Sequence, residues 1–103
     1  MGIMEASMAR ENLYKNVYNE GCISQMCNNI AANINCSDYN YNMIGLSMVF
    51  NFDDKVDTPY SAIDSELRRV LAENNIECDE PGLLYNVTSI DVRDRKSSII
   101  LYL

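Results

Sequence analysis

Alternation of apolar and polar positions is clearest over residues 43–52. Ile44, Leu46, Met48, Phe50 and Phe52 share one parity, and Met43, Gly45, Ser47, Val49 and Asn51 the other. Successive strand side chains point to opposite faces, so the pattern predicts a strand with one face on a core and a mixed face partly solvated. Asn51-Phe52-Asp53-Asp54 ends it in turn formers. The period then changes. Tyr60, Ile63, Leu67, Val70 and Leu71 recur at three- and four-residue steps, with Ser65, Arg68, Arg69 and Glu73 off the stripe, which predicts a helix over residues 58–74. Thr58 is a good N-cap and Pro59 suits the first helical position. Asp57 stands just before the positive end of the helix dipole, and Asn74-Asn75 supplies a left-handed stop.

Residues 3–34 are helical in pattern but carry two stripes. Ile3, Ala6, Leu13, Tyr14 and Val17 fall on one side of a helical wheel, with Met8 stranded on the polar side among Glu5, Asn12, Lys15, Asn16 and Asn19. Ile23, Cys27, Ile30 and Ile34 form a second stripe that does not continue the first. Gly21 sits between them, and glycine costs a helix interior about 1 kcal/mol relative to alanine. Two segments follow, 4–19 and 22–34, broken at Gly21. Residues 35–42, Asn-Cys-Ser-Asp-Tyr-Asn-Tyr-Asn, are predicted as a loop, because such side chains offer the backbone competing local hydrogen bonds.

Pro81-Gly82 signals a turn, and residues 83–103 then read as a hairpin closed by Asp94-Arg95-Lys96. In its first arm Tyr85 and Val87 share one parity, Ile90 and Val92 the other, which predicts either a bulge near Thr88-Ser89 or an end strand gripped on both sides. Its second arm is apolar on both faces: Ile99, Leu101 and Leu103 on one, Ile100 and Tyr102 on the other. The expected fold class is α+β: N-terminal helical segments, then β-α-β-β, with a small three-stranded, largely antiparallel sheet and helices packed on one face. The length, 103 residues, suits one domain spanning 1–103.

Composition adds a sign to this picture. Fifteen acidic and eight basic residues give a formal charge of −7. The chain is rich in Asn and Tyr, as AT-rich coding produces, yet lysine occurs only at Lys15, Lys55 and Lys96. Gaining Asn without Lys suggests that basic surface was selected against. That opposes direct nucleic-acid binding, where neutralising phosphates supplies most of the affinity. It favours a basic protein partner. No apolar run approaches the ~20 residues that span a bilayer, and residues 1–20 lack the apolar run of a secretory signal. The expectation is therefore a cytoplasmic protein away from membranes, with Cys22, Cys27, Cys36 and Cys78 as free thiols.

Chemistry is narrowed by what is missing. The chain has no histidine, which removes the commonest general base, the Ser-His and Cys-His pairs and every His-containing metal site. No two-residue cysteine spacing suggests zinc. Asn51, Asp53 and Asp57 match three positions of a calcium loop, but Lys55 and Val56 break it. Asp94-Arg95-Lys96 supplies the acid-x-Lys step of one nuclease class, but no Pro-Asp pair precedes it, and it falls at the expected hairpin turn. The four glycines are isolated, so no loop cradles phosphate. No cofactor and no catalytic residue is assigned.

Two acidic clusters remain as partner-binding candidates: Asp53, Asp54 and Asp57 before the helix, and Glu77, Asp79 and Glu80 after it. Tyr14 and Tyr18, with Tyr39 and Tyr41, are candidate anchors, since tyrosine is enriched at binding hot spots. The functional expectation is a small acidic module that inhibits or sequesters a basic, nucleic-acid-handling protein. Immunity proteins and phage anti-defence proteins, anti-CRISPR and DNA-mimic proteins among them, share this size and charge, a likeness of class alone. The alternative is a homo-oligomeric assembly protein, resting on the N-terminal stripes, the doubly apolar last strand and Met4, Met8, Met26, Met43 and Met48 as an adaptable interface. A small enzyme ranks below both.

Overall fold

The two N-terminal stripes fail to align because the helix changes its winding. The computed structural model describes residues 3–103, and the side chains of Ile3 and Met4 lie outside the described residues. Helix α1 (Ile3–Asn12) runs into a π-helical turn, Leu13–Val17, closed by a hydrogen bond from Tyr18 N–H to the Leu13 carbonyl at 2.7 Å. A π turn inserts an extra residue and rotates the faces that follow. The chain then breaks at Tyr18–Asn19, not at Gly21. Asn19 is extended and its side chain accepts from Cys22 N–H at 2.8 Å, capping α2 (Glu20–Asn33). An asparagine cap satisfies an orphan donor, which a glycine does not. Gly21 lies inside the first turn of α2.

The sheet has four strands where three were expected. The segment read as a loop contains β1 (Asp38–Asn42), and the strand read over 43–52 is only β2 (Ser47–Phe52). Residues 43–46 form the turn between them, with Gly45 at φ +80° and Leu46 at φ +49°. Ile44, assigned to the core face, is 87% exposed at this turn. Helix α3 (Tyr60–Glu73) starts later than expected. Pro59 is its N-cap residue and Thr58 makes no side-chain cap. Its stop is as read, with Asn74 at the cap and Asn75 at φ +54°. A short 3-10 turn, Pro81–Leu84, leads into β3 (Asn86–Asp91) and β4 (Ser97–Tyr102). These pair in unbroken register from Asn86↔Tyr102 to Asp91↔Ser97, so there is no bulge at Thr88-Ser89.

The sheet order is β1-β2-β4-β3, antiparallel throughout, with β1 and β3 at the edges. Met48 and Phe50 stand beside Leu101 and Ile99 on one face, buried in a single cluster with Leu13, Ile23, Met26, Ile30, Ile63 and Leu67 from the helices. The helices therefore cover that face. The opposite face carries Val49, Ile100, Tyr102 and Ile90 among Asn, Ser and Thr side chains, and no helix among the described residues lies on it. The parity switch in β3 has a simple cause. Leu84, at the end of the 3-10 turn, and Tyr85 after it are buried in the core before the strand begins, while Ile90 and Val92 are exposed at its far end. Among the described residues, no helix is long and apolar enough to cross a membrane.

Candidate functional site

The first acidic cluster lies in the loop between β2 and α3. Val56 holds this loop down: it packs against the core and its N–H donates to Ser97 Oγ at 3.3 Å. Asp53, Asp54 and Asp57 are exposed, but they do not face solvent alone. The β3–β4 turn, tightened by bonds between Val92 and Lys96 and between Lys96 and Arg93, brings the chain's densest basic segment against them. Arg95 pairs with Asp54 at 3.4 Å, and Lys55 reaches across to Asp91 at 3.1 Å. Lys96 and Asp53 share the wall of a polar hollow of about 360 Å³ with Asp38, Asn51 and Ser98. This end of the molecule answers its own charge.

The second cluster follows α3. Ile76 N–H bonds to the Leu71 carbonyl and its side chain packs on the core, which turns the next residues outward. Glu77, Asp79 and Glu80 are exposed, and none forms an ion pair among the described residues. A fourth carboxylate joins them. Glu5, on α1, accepts the Asp79 backbone N–H at 3.2 Å. Arg68 touches this segment only at the Asp79 carbonyl, at 3.5 Å, and Arg10 ties α1 to the Leu83 carbonyl. The two clusters sit beyond opposite ends of α3, whose 14 residues span about 20 Å at the usual rise. They do not form one surface.

The tyrosine anchors divide. Tyr14 is exposed, and its hydroxyl donates to the Leu103 carbonyl, beside Arg10, Glu11 and Lys15 and away from either acidic cluster. Tyr18 is buried, 9% exposed, with its hydroxyl unpartnered and its ring 5.8 Å from that of Tyr14. It offers a partner no surface, and burial raises the pKa of its hydroxyl. Tyr41 donates to Glu20 at 3.0 Å, and that bond is the main cause of its raised pKa. Tyr39 stacks on Phe50 at 6.4 Å. Of the methionines, Met26 and Met48 are fully buried, Met43 packs on the core and Met8 is exposed; Met4's side chain lies outside the described residues.

Burial raises the Cys22 thiol, and pushes Cys27 from 9.0 to about 11, away from nucleophilic chemistry at neutral pH. All four cysteines are unpaired. Among the described residues no group of three or more Cys, Asp or Glu side chains is placed to hold a metal ion. Glu5 is the site residue that sequence patterning missed. It reads there as one more polar position on a helix, and its contact spans 74 residues of chain. No protein-family model, curated protein or solved structure matches this chain.

Proposed function

We propose that this protein is a small acidic binding module that inhibits or sequesters a basic, nucleic-acid-handling protein in the cytoplasm, in the manner of an immunity or phage anti-defence protein. One observation carries the reading: Glu77, Asp79 and Glu80 are exposed beside the half-buried Glu5, and none of the four forms an ion pair among the described residues, on a chain of net charge −7. Such a surface attracts and steers a cationic partner and repels nucleic acid. The Asp53 cluster is a weaker candidate than its sequence suggests, because Arg95, Lys55 and Lys96 already stand around it. The test is affinity capture from host lysate at low and high salt. The expected partner is basic, released by salt, and lost when Glu77, Asp79 and Glu80 become Gln, Asn and Gln together. A partner retained by that triple variant but lost from Asp53→Asn/Asp54→Asn/Asp57→Asn would move the site to the other end.

A second reading is kept because of the bare sheet face. The half-buried Val49 and Ile100 at its centre, with the exposed Tyr102 and Ile90, are covered by no other element among the described residues. A homo-oligomer would use it. The N-terminal stripes no longer argue for assembly, since Leu13, Val17, Ile23 and Ile30 are consumed by the core. Light scattering at two concentrations distinguishes the readings.

A further inference from the structure

Glu77 and Glu5 are also opposite walls of a groove, and its floor explains a residue that the helical pattern leaves stranded. Glu5, Met8 and Asn12 lie three and four residues apart along one side of α1. Asn75, Ile76 and Glu77 face them from the segment after α3. The hydrogen bond from Asp79 N–H to Glu5 ties the two sides together. The groove is open and has a volume of about 590 Å³, within the ~300–1,000 Å³ range of small-ligand pockets. Met8 is 68% exposed within it, and the partly buried Ile76 supplies the other apolar contact. No lysine or arginine lines the groove.

We propose that this groove is the docking site for a short segment of the basic partner that carries a large apolar side chain flanked by lysine or arginine. The apolar side chain covers Met8 and Ile76, and the flanking cations meet Glu5 and Glu77. Charge complementarity is joined here to an adaptable apolar floor, since methionine's flexible thioether packs against varied shapes. The carboxylates on the rim choose the sign of what enters. A second copy of this chain brings like charge to the rim, and a purely cationic segment leaves Met8 in water. The inference rests on the proposed function and narrows it to one face.

The test uses a fluorescently labelled ten-residue peptide with two central leucines between pairs of lysines, read by anisotropy. Its companions replace the leucines by serine, or the lysines by glutamate. The parent peptide should bind, and each companion should bind at least about tenfold more weakly. Met8→Ser and Glu77→Gln, both exposed changes that leave the core alone, should each weaken the parent by about fivefold or more. Asp53→Asn/Asp54→Asn/Asp57→Asn should leave it within about twofold. Absence of binding overturns the proposal, as does equal binding of the serine peptide or indifference to Met8→Ser. A dimer in light scattering that Met8→Ser abolishes hands the groove to a second copy and overturns it too. Capture of a basic lysate protein that survives Met8→Ser but not the Glu77, Asp79 and Glu80 triple variant sinks the groove and leaves the function standing. Failure to capture any basic protein sinks the function itself.

Discussion

Three buried polar side chains show how differently this core treats polarity. Glu66 is 7% exposed, yet it accepts from Asn29 at 2.9 Å and from Arg69 in a fork of 2.9 and 2.7 Å. That bond raises the Arg69 pKa. Removing one partner of a buried pair costs more than trimming its charge. Arg69→Met, which strands a buried carboxylate, should therefore cost about 3 kcal/mol, and Glu66→Gln about 1–2 kcal/mol, because Gln still accepts from Asn29. Urea midpoints in the reverse order would contradict the arrangement. Tyr18 is the opposite case, since its buried hydroxyl has no partner among the described residues. Tyr18→Phe should stabilise by about 1 kcal/mol with an unchanged urea slope; a loss of stability would mean that the hydroxyl is satisfied. Cys27 adds a pH dependence. Its thiol titrates at 9.0 without burial and at about 11 in the fold. Below the lower value both states hold the proton. Between the two values the unfolded chain ionises first, so native stability falls as pH rises. The raised Cys22, Tyr18 and Tyr85 groups, each shifted chiefly by burial, act in the same direction. Comparing urea midpoints under reducing conditions at about pH 8 and about pH 10.5, Cys27→Ala should show a shallower decline than the parent.

At the scale of elements, patterning found what packing repeats and missed what packing leaves to the edge. Helix α3 was legible because Ile63, Leu67, Val70 and Leu71 form a stripe and all are buried. Strand β4 was legible because Ile99 and Leu101 alternate into the same core. Strand β1 was not: Asp-Tyr-Asn-Tyr-Asn is made mostly of residues depleted in strands. It pairs with β2 on one side only, where its tyrosines turn toward the helices, stacking on Phe50 or bonding Glu20. The alternation over 43–52 misled because Ile44 and Leu46 continue the parity of Met48 by accident, across a turn. Gly45 marks that turn, and its φ of +80° is a conformation in which other residues are strained. Gly45→Val should thus destabilise by about 1–2 kcal/mol although no atom beyond its chain neighbours lies within 4 Å of an added Cβ. A neutral result in thermal unfolding would place the β1–β2 turn elsewhere. The break before α2 was legible in kind, since two unaligned stripes demand one. The π turn that makes it depends on where Leu13 and Val17 find the core, which spacing alone does not reveal.

For the whole molecule, the distribution of charge decides more than its total. Four of the eight bases and five of the fifteen acids are in ion pairs among the described residues, leaving ten carboxylates unpaired. Sequence alone showed the surplus. It did not show that Arg95 of the β3–β4 turn folds back onto Asp54 while the Glu77 end forms no ion pair among the described residues, because that pairing joins residues distant along the chain. Two consequences of opposite sign follow from one variable. Self-repulsion among unpaired carboxylates opposes compaction, and screening relieves it. Raising sodium chloride from about 20 mM to about 500 mM shortens the Debye length from roughly 20 Å to roughly 4 Å, so the isolated protein's Tm should rise by several degrees. The same screening should weaken its hold on a cationic partner, chiefly by slowing association. Neutralising Glu77, Asp79 and Glu80 should shrink both salt effects together, whereas neutralising Asp53, Asp54 and Asp57 removes Arg95's pairing with Asp54 and should leave the partner's salt dependence in place. Tm and association rate measured across that salt range for the two triple variants would separate a binding surface from mere acidity: bare charge predicts equal responses from both ends, and a site at the exit of α3 does not.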